Sequence, residues 1–457
     1  MSHKKILIMP APLGAGDLAV AKYIIDHLHS NHDLTTALWD INHDVDLARN
    51  LHGKRIIIPP INSGLTRDYV DVIATQIKEA SPDAVIAINY PICVLAGVRA
   101  RVPVIQLTHQ FDFFGLMDNR ASLELDLLDV DKSETLDDYL KKQRENIQQG
   151  DLSLLENIEY SSFRFGQRKL LESSMIYLTY ILSNHLLVHS FFTPNFSETI
   201  LLNRSRLTLL SEGVNFVDPL VPTHVLELSD KKDESREFVN RNYLLDLINH
   251  PLVLVTFGGF NHGNSQAYET FIGGIKHVCG TGIIGDASLV FVGRFIDEKR
   301  QELENQFGET QAYQQGRIKF LGNVTYQDHL RLISASDLVL SHCGYSTISE
   351  VIGMNRPLAL FYGLTPTYER QVNLQQVNDA GLCLRGDNSK YWMQMTPYHS
   401  HDEKYVVSSE EVFRFLEKLF KELNQEQRPH FDQVVQRQKA SLTRSGISVI
   451  DAIMRYV

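Results

Sequence analysis

Short apolar runs alternate with stretches of helical periodicity towards both ends of the chain. In the first half the runs Lys5–Met9, Arg55–Ile58, Ala84–Ile88, Val104–Leu107 and Leu186–Val188 are predicted as strands. In the second half the same pattern picks out Leu252–Phe257, Leu289–Val292, Ile318–Leu321, Leu338–Leu340 and Leu358–Phe361. Such runs are apolar almost throughout, as a strand buried on both faces requires. Strands of this type separated by helices predict an α/β protein with parallel sheets covered on both sides.

The chain has 457 residues, more than one ordinary core accommodates. It fits two domains of about 200 residues each. The join is predicted near Val221–Glu234, where Pro219, Pro222 and the run Ser229-Asp-Lys-Lys-Asp-Glu234 interrupt the rhythm. This gives domains over 1–224 and 225–430, followed by a last helical segment over 431–457. Between Met117 and Ile181 the rhythm also breaks. Acidic helical sequence (Leu123–Asp131, then Leu136–Asn146) leads into a longer amphipathic stretch. An insertion of this length is either a lid or acceptor-binding element, or a set of helices that only pack.

The densest chemistry lies at 341–350, Ser-His-Cys-Gly-Tyr-Ser-Thr-Ile-Ser-Glu. The strand Leu338–Leu340 runs into a turn at Gly344, and a helix follows with Val351 and Ile352 on its buried side. A strand–turn–helix of this kind aims free backbone N–H groups and the positive end of a helix dipole at one point, which makes an anion site. His342 adds a donor there, Ser346 and Thr347 add hydroxyls, and Glu350 adds a carboxylate one turn on. Phosphate, hydroxyl and carboxylate recognition together suggest a nucleoside diphosphate. Thr347-x-x-Glu350 also reads as a capping box, with Thr347 as N-cap.

After the strand Leu358–Phe361 comes the polar loop Thr365–Asn373 and a helix running to Gly381. His342, Gly344, Glu350, Pro357, Glu369, Asn373 and Gly381 stand at spacings that resemble the donor-binding motif of GT-B glycosyltransferases. The similarity is greatest to UDP-glycosyltransferases and to the lipid-linked N-acetylglucosaminyl and diacylglycerol glycosyltransferases. The resemblance implies two Rossmann-like domains facing an interdomain cleft, with the last helix crossing back to the first. It implies that His342 and the helix N-terminus hold the diphosphate and that Glu350 binds the ribose hydroxyls. An acidic residue and a Gln then hold the sugar. Glu369 matches the first; Arg370 stands in place of the second, with Gln371 beside it, and this departure leaves the donor sugar open. Arg370 either reads an acidic sugar or pairs with Glu369 as a surface ion pair.

Further candidates follow from the same resemblance. Phe257-Gly258-Gly259-Phe260-Asn261 ends a strand, and paired glycines let a backbone approach a ligand. The family's glycine-rich loop here faces the donor phosphates; the alternative is a tight turn. Gly322-Asn323-Val324-Thr325 corresponds to the loop whose backbone meets the nucleotide base. In the first domain Gly14-Ala-Gly16-Asp17 opens a helix where the family usually carries Gly-His. Asp17 is a good N-cap, or a general base if burial raises its pKa. His109, at the end of Val104–Leu107, has the intrinsic pKa a general base needs, or is a structural strand-end histidine.

Composition narrows the function classes. Acidic residues number 55 against 44 basic ones, a formal charge of −11, which argues against a nucleic-acid partner while leaving room for peripheral contact with a membrane surface. Cys93, Cys279, Cys343 and Cys383 are scattered, so neither a zinc site nor a disulfide framework is expected, and a reducing cytoplasm fits. The basic-then-apolar start is too short for a secretory leader and reads as the first strand. Residues 173–192 are apolar but contain Ser183, Asn184 and His185, so no membrane span is expected there. Asp44-Val-Asp46 and Asp129-Val-Asp131 lie away from the donor motif and read as solvated acidic surface, not as metal ligands.

The implied activity is inverting transfer of a sugar from a UDP- or dTDP-sugar to a hydroxyl of a small-molecule, lipid or glycan acceptor. It needs no cofactor and no metal, because the helix dipole and donors stabilise the leaving diphosphate. Two alternatives share the fold: a sugar-nucleotide epimerase or hydrolase, and a non-catalytic nucleotide-binding protein. The acceptor and the oligomeric state are left open.

Overall fold

The computed structural model describes residues 3–11, 15–39, 48, 51–58, 67–109, 136–152, 182–191, 214–243, 250–257, 265–342, 344–361, 377–378, 380–384, 409–443 and 445–457. The chain divides into two compact units, Met1–Pro222 with Thr443–Val457, and Thr223–Leu442.

The first unit is built on seven strands: β1 (Lys5–Pro10), β2 (Asp33–Trp39), β3 (Lys54–Ile58), β4 (Ala84–Ile88), β5 (Val104–His109), β6 (His185–His189) and β7 (Val214–Val217). They pair in the order β3-β2-β1-β4-β5-β6-β7, all parallel. The two-residue repeat of a strand sorts its side chains onto two faces. Leu7, Met9, Val85 and Ala87 point into one core, shared with the helices Arg67–Ala80 and Pro91–Ala100. Ile6, Ile8, Ile86 and Ile88 point into the other, beneath the helices Ala15–Leu28 and Val449–Tyr456. Both faces are therefore covered, which explains the unbroken apolar runs.

The second unit carries five strands: β8 (Leu252–Thr256), β9 (Ser288–Val292), β10 (Ile318–Gly322), β11 (Leu338–His342) and β12 (Leu358–Phe361). Their order is β10-β9-β8-β11-β12, again all parallel. Val253, Val255, Leu289, Phe291, Leu338 and Leu340 form one core with the helices Ser265–Gly280 and Ser409–Leu423. A charged tie fixes the sheet's amino end. Asp337, just before β11, accepts hydrogen bonds from Lys232 Nζ (2.7 Å), Arg236 Nη1 (2.8 Å) and the Leu252 amide (2.8 Å). Burial alone would raise the Asp337 carboxyl, but Lys232, the Leu252 amide and Arg236 outweigh it and hold it below its ordinary value.

Two strands were not among the sequence expectations. β2 (Asp-Leu-Thr-Thr-Ala-Leu-Trp) and β7 (Val-Asn-Phe-Val) mix polar residues into their runs. The last segment is also two helices, Pro429–Ser441 and Val449–Tyr456, where one was expected. The break has a local cause. Gly446 turns with φ +68°, and Ser448 caps the second helix by accepting from the Asp451 amide at 3.0 Å. Only the second helix belongs to the first unit. There Asp218 accepts from the amides of Ser445 (2.7 Å) and Gly446 (3.1 Å) and from Ser445 Oγ (2.6 Å), and Tyr456 stacks on His185.

Of the 117–181 insertion, the described part includes the helix Leu136–Gln149, held where Arg144 donates to the carbonyls of Leu182 and Ser183. Cys93, Cys279 and Cys383 are buried free thiols. Among the described residues no helix is long and apolar enough to cross a membrane.

Candidate functional site

In the second unit β8 and β11 lie side by side, although the chain leaves β8 towards β9 and returns to β11 only after β10. Strand order reverses between them, and ligands in open parallel sheets bind at the carboxyl ends of such a pair. β8 ends at Thr256 and β11 at Ser341 and His342, with Ser341 in register with Thr256. The sequence thus delivers the end of its 341–350 motif to the switch point.

Gly344 occupies the N-cap of the helix Tyr345–Gly353 in extended conformation, and no side chain caps it. A helix N-terminus without a side-chain cap suits an anion. Ser346 and Thr347 lie in that turn, half-buried. The capping-box reading of Thr347 does not hold: the helix starts at Tyr345, so Thr347 is its third residue.

Glu350 lies one turn further along and is only 5% exposed. It faces the helix Tyr326–Ala335, with Oε2 3.7 Å from His329 Nδ1. Burial pushes the Glu350 carboxyl up to about 8, and the same burial pushes His329 down to about 4. The buried Tyr326 hydroxyl lies beside the carboxyl without a hydrogen bond of standard geometry, and burial followed by the carboxyl's charge raises its pKa. His329 Nε2 reaches Thr256 Oγ1 at 3.4 Å, at the end of β8. Thr256, His329 and Glu350 therefore form a polar line across the switch point. Tyr326, His329 and Thr256 were not among the sequence candidates. The available signal was the Tyr326-x-x-His329 spacing, which puts two polar rings on one helix face.

The loop after β10 is rigidly held. Gly322 adopts φ +71°, the Asn323 amide donates to Asp297 Oδ2 at 2.7 Å, and Arg300 bridges Asp297 and the Leu321 carbonyl, both at 2.9 Å. Thr325 caps the helix Tyr326–Ala335 by accepting from the Asp328 amide at 3.2 Å. The Asn323 amide is thus engaged within the protein.

His342 is placed as the last residue of β11 and His109 as the last residue of β5. Gly258, Gly259, Asn261, Glu369, Arg370 and Gln371 lie outside the described residues, as do Asp44, Asp46, Asp129 and Asp131. In the first unit the strand order reverses between β1 and β4. Asp17 follows β1, but it is not the N-cap, since the helix begins at Ala15 and Asp17 stands in its first turn. Asn89, just past β4, donates from Nδ2 to Asp17 Oδ1 at 2.6 Å.

Neither a protein-family model nor a curated protein sequence matches the chain. Solved structures do. MurG of Acinetobacter baumannii superposes with TM-score 0.54 at 11% identity, over 99% of this chain and 99% of that one. Medicago truncatula UGT71G1, complexed with UDP-glucose, gives 0.55 at 15% identity, over 99% and 97%. The UDP-N-acetylglucosamine 2-epimerase from Listeria monocytogenes, so described as putative, gives 0.56 at 13%, over 100% and 98%. The fold is GT-B. Both halves of the GT-B plan are present here, each with its parallel sheet and its reversal of strand order. Identities this low speak for the fold alone, since one GT-B scaffold carries both transfer and epimerisation.

Proposed function

We propose that this GT-B protein is a nucleotide-sugar enzyme that transfers a sugar from a UDP- or dTDP-sugar to an acceptor hydroxyl with inversion. The reading rests on one observation: a buried carboxylate, Glu350, one turn into an uncapped helix that starts at the switch point. The helix N-terminus suits a diphosphate, and Glu350 is placed to accept hydrogen bonds from the ribose hydroxyls. His342, Ser346 and Thr347 add donors at the diphosphate, and Val324 meets the base. In the transfer step the acceptor oxygen attacks the anomeric carbon as the bond to the diphosphate oxygen breaks. The acceptor proton passes to Asp17 or His109, and the diphosphate leaves with the bonding electron pair, stabilised by the helix dipole. Gly258, Gly259 and Asn261 are proposed at the donor phosphates, and Glu369, Arg370 and Gln371 at the sugar. The buried free thiols fit a reducing compartment such as the cytoplasm.

A second reading, epimerisation of the nucleotide sugar, is favoured by the equally similar epimerase structure from Listeria monocytogenes. One experiment separates the two. Thermal shift against UDP, dTDP and their sugars identifies the donor, because a ligand of the folded state raises the melting temperature. Product analysis with that donor, with and without an alcohol acceptor panel, follows. Sugar transfer supports the first reading, an epimerised donor supports the second, and no shift with any nucleotide overturns both.

A further inference from the structure

We propose that His329 is a positioning residue for Glu350, and that a nucleotide bound at Glu350 reverses the hydrogen-bond line Thr256–His329–Glu350; this rests on the ribose role given to Glu350 above. His329 Nε2 lies 3.4 Å from Thr256 Oγ1, and Nδ1 of the same ring lies 3.7 Å from Glu350 Oε2. The imidazole thus stands between a hydroxyl and a carboxyl, with one nitrogen turned to each. The three residues come from three elements. Thr256 ends β8, which is paired on both sides; His329 sits one turn into Tyr326–Ala335; Glu350 belongs to Tyr345–Gly353. Thr256 and Glu350 are buried and His329 is half-buried.

A neutral imidazole donates from one nitrogen and accepts at the other, and what each nitrogen faces decides which. With the Glu350 carboxyl protonated, Nδ1 is the acceptor, so the ring proton sits on Nε2 and points to Thr256. With the carboxyl ionised, Nδ1 must carry the proton and donate, and Nε2 accepts from the Thr256 hydroxyl. A hydroxyl serves either arrangement by rotating its O–H. Burial holds the acid up at about 8 and the ring down at about 4, so the empty site at neutral pH has the first arrangement. Ribose hydroxyls donate to a carboxylate and favour its ionised form. The acid proton then passes from Oε2 to Nδ1, the ring releases its Nε2 proton to solvent, and Thr256 turns its O–H towards Nε2. One proton leaves the protein, and the ring ends as neutral as it began. A separation of 3.7 Å is longer than a hydrogen bond and fits the uncharged pair. The charge-assisted bond of the second arrangement is shorter, and it holds Oε2 in place for the ribose.

Other charges are engaged elsewhere or face solvent. Tyr326, also beside the carboxyl, keeps its proton, because burial and then the carboxyl's charge raise its pKa. On its far side the His224 ring stands 6.0 Å from that of Tyr326. Asp432, Arg437 and Lys439 of Pro429–Ser441, which packs against the helix of Glu350, are exposed. On Lys232–Tyr243, packed against the helix of His329, Lys232 and Arg236 are taken up by Asp337 and the remaining acidic and basic residues are exposed. In the helix of His329 itself, Asp328 meets Tyr243 and Arg331 lies over the Phe238 ring.

The test uses the full-length protein, isotope-labelled at the histidine nitrogens, whose chemical shifts distinguish the two tautomers and the imidazolium. His329→Gln assigns the signal. Saturating UDP is expected to move His329 from the Nε2–H to the Nδ1–H form, a change that a merely structural histidine does not make. Thr256→Val keeps the branched strand residue but offers Nε2 no hydroxyl, and it is expected to weaken UDP binding about tenfold. In a His329→Gln background it should cause no further loss, because the two act as a unit. An unmoved tautomer at saturating UDP, an imidazolium signal, wild-type affinity in Thr256→Val, or an equal loss in both backgrounds overturns this inference and leaves the ribose role of Glu350 standing. A wild type that binds no UDP overturns both.

Discussion

His329 Nδ1 stands 3.7 Å from Glu350 Oε2, yet the two do not form an ordinary ion pair at neutral pH. Burial raises the acid to about 8 and lowers the base to about 4, so each is held neutral between those values. The polar wall of the proposed nucleotide site is therefore uncharged while empty of counter-charge, and it can gain a negative charge when partners for one arrive.

Stability should follow from these shifts. The folded Glu350 carboxyl titrates near 8 against an ordinary 4.5, so its stabilising contribution is complete below 4.5 and is lost as pH rises through 8. His329 acts oppositely: its contribution is complete above 6.5 and is lost as pH falls through 4. Glu350→Gln should abolish the alkaline loss and leave the acid one. Melting curves at pH 6 and pH 8.5 test this; a wild-type melting temperature that does not fall between them speaks against a buried, raised carboxyl.

Nucleotide affinity should move the other way. Two ribose hydroxyls donate best to an ionised carboxylate, so UDP binding should strengthen as pH rises towards 8. Glu350→Ala should weaken binding by roughly 10- to 100-fold, the effect of losing charge-assisted hydrogen bonds. Calorimetric titration with UDP decides it. Unchanged affinity combined with a lower melting temperature would make Glu350 a packing residue only.

Gly322 opens the loop proposed to meet the base. A Cβ there would run into the Asp297 carboxylate, and φ +71° is itself costly for alanine. Gly322→Ala should displace the Asn323 amide from Asp297 and weaken nucleotide binding, together with a loss of about 1–3 kcal/mol of stability. Binding at wild-type strength in this variant would remove the loop from the site.

Asp337 should matter for folding and not for binding. Asp337→Ala leaves Lys232 and Arg236 without their shared acceptor and the Leu252 amide unpaired. A loss of about 3 kcal/mol is expected, lowered from the fully buried case because Lys232 is partly solvated. Since the Asp337 pKa is depressed, its contribution is present above the ordinary 3.8 and disappears as pH falls below it. Denaturant unfolding at pH 7 and pH 3 should show a gap between wild type and variant that closes in acid.

Turnover should depend on the first unit. Either Asp17→Asn or His109→Ala should reduce transfer about 100-fold with UDP affinity unchanged, as loss of a general base does. Steady-state kinetics beside a binding assay separates the two effects, and full activity in the double variant would exclude both as the base.

The architecture was legible because its strands are buried on both faces. Ala84–Ile88 and Leu358–Phe361 match their sequence boundaries, since five and four consecutive apolar residues leave no other reading. β2 escaped because Asp33, Thr35 and Thr36 break the apolar run, although Thr36 is fully buried. The 341–350 motif could be placed at a strand end from the sequence, but not the helix start, because Gly344 makes its N-cap without any side-chain signature. The pairings of Tyr326, His329 and Asn89 were out of reach for a different reason, although the Tyr326-x-x-His329 spacing marked a polar helix face. Their partners lie on other elements, 24, 21 and 72 residues away, and only the strand order brings them together.

The clasp of Asp218 on Ser445 and Gly446 has a consequence for biosynthesis. The second unit is one uninterrupted stretch, while the first is assembled from two stretches that flank it. On the ribosome, residues 223–442 can close around their own core as soon as they emerge. The first sheet must wait at β6, against which the helix Val449–Tyr456 packs, until residues 443–457 are made. The part whose synthesis starts first is thus completed after the second unit, and a nascent chain stalled before Thr443 would leave Leu187 of β6 without this cover and open to chaperones.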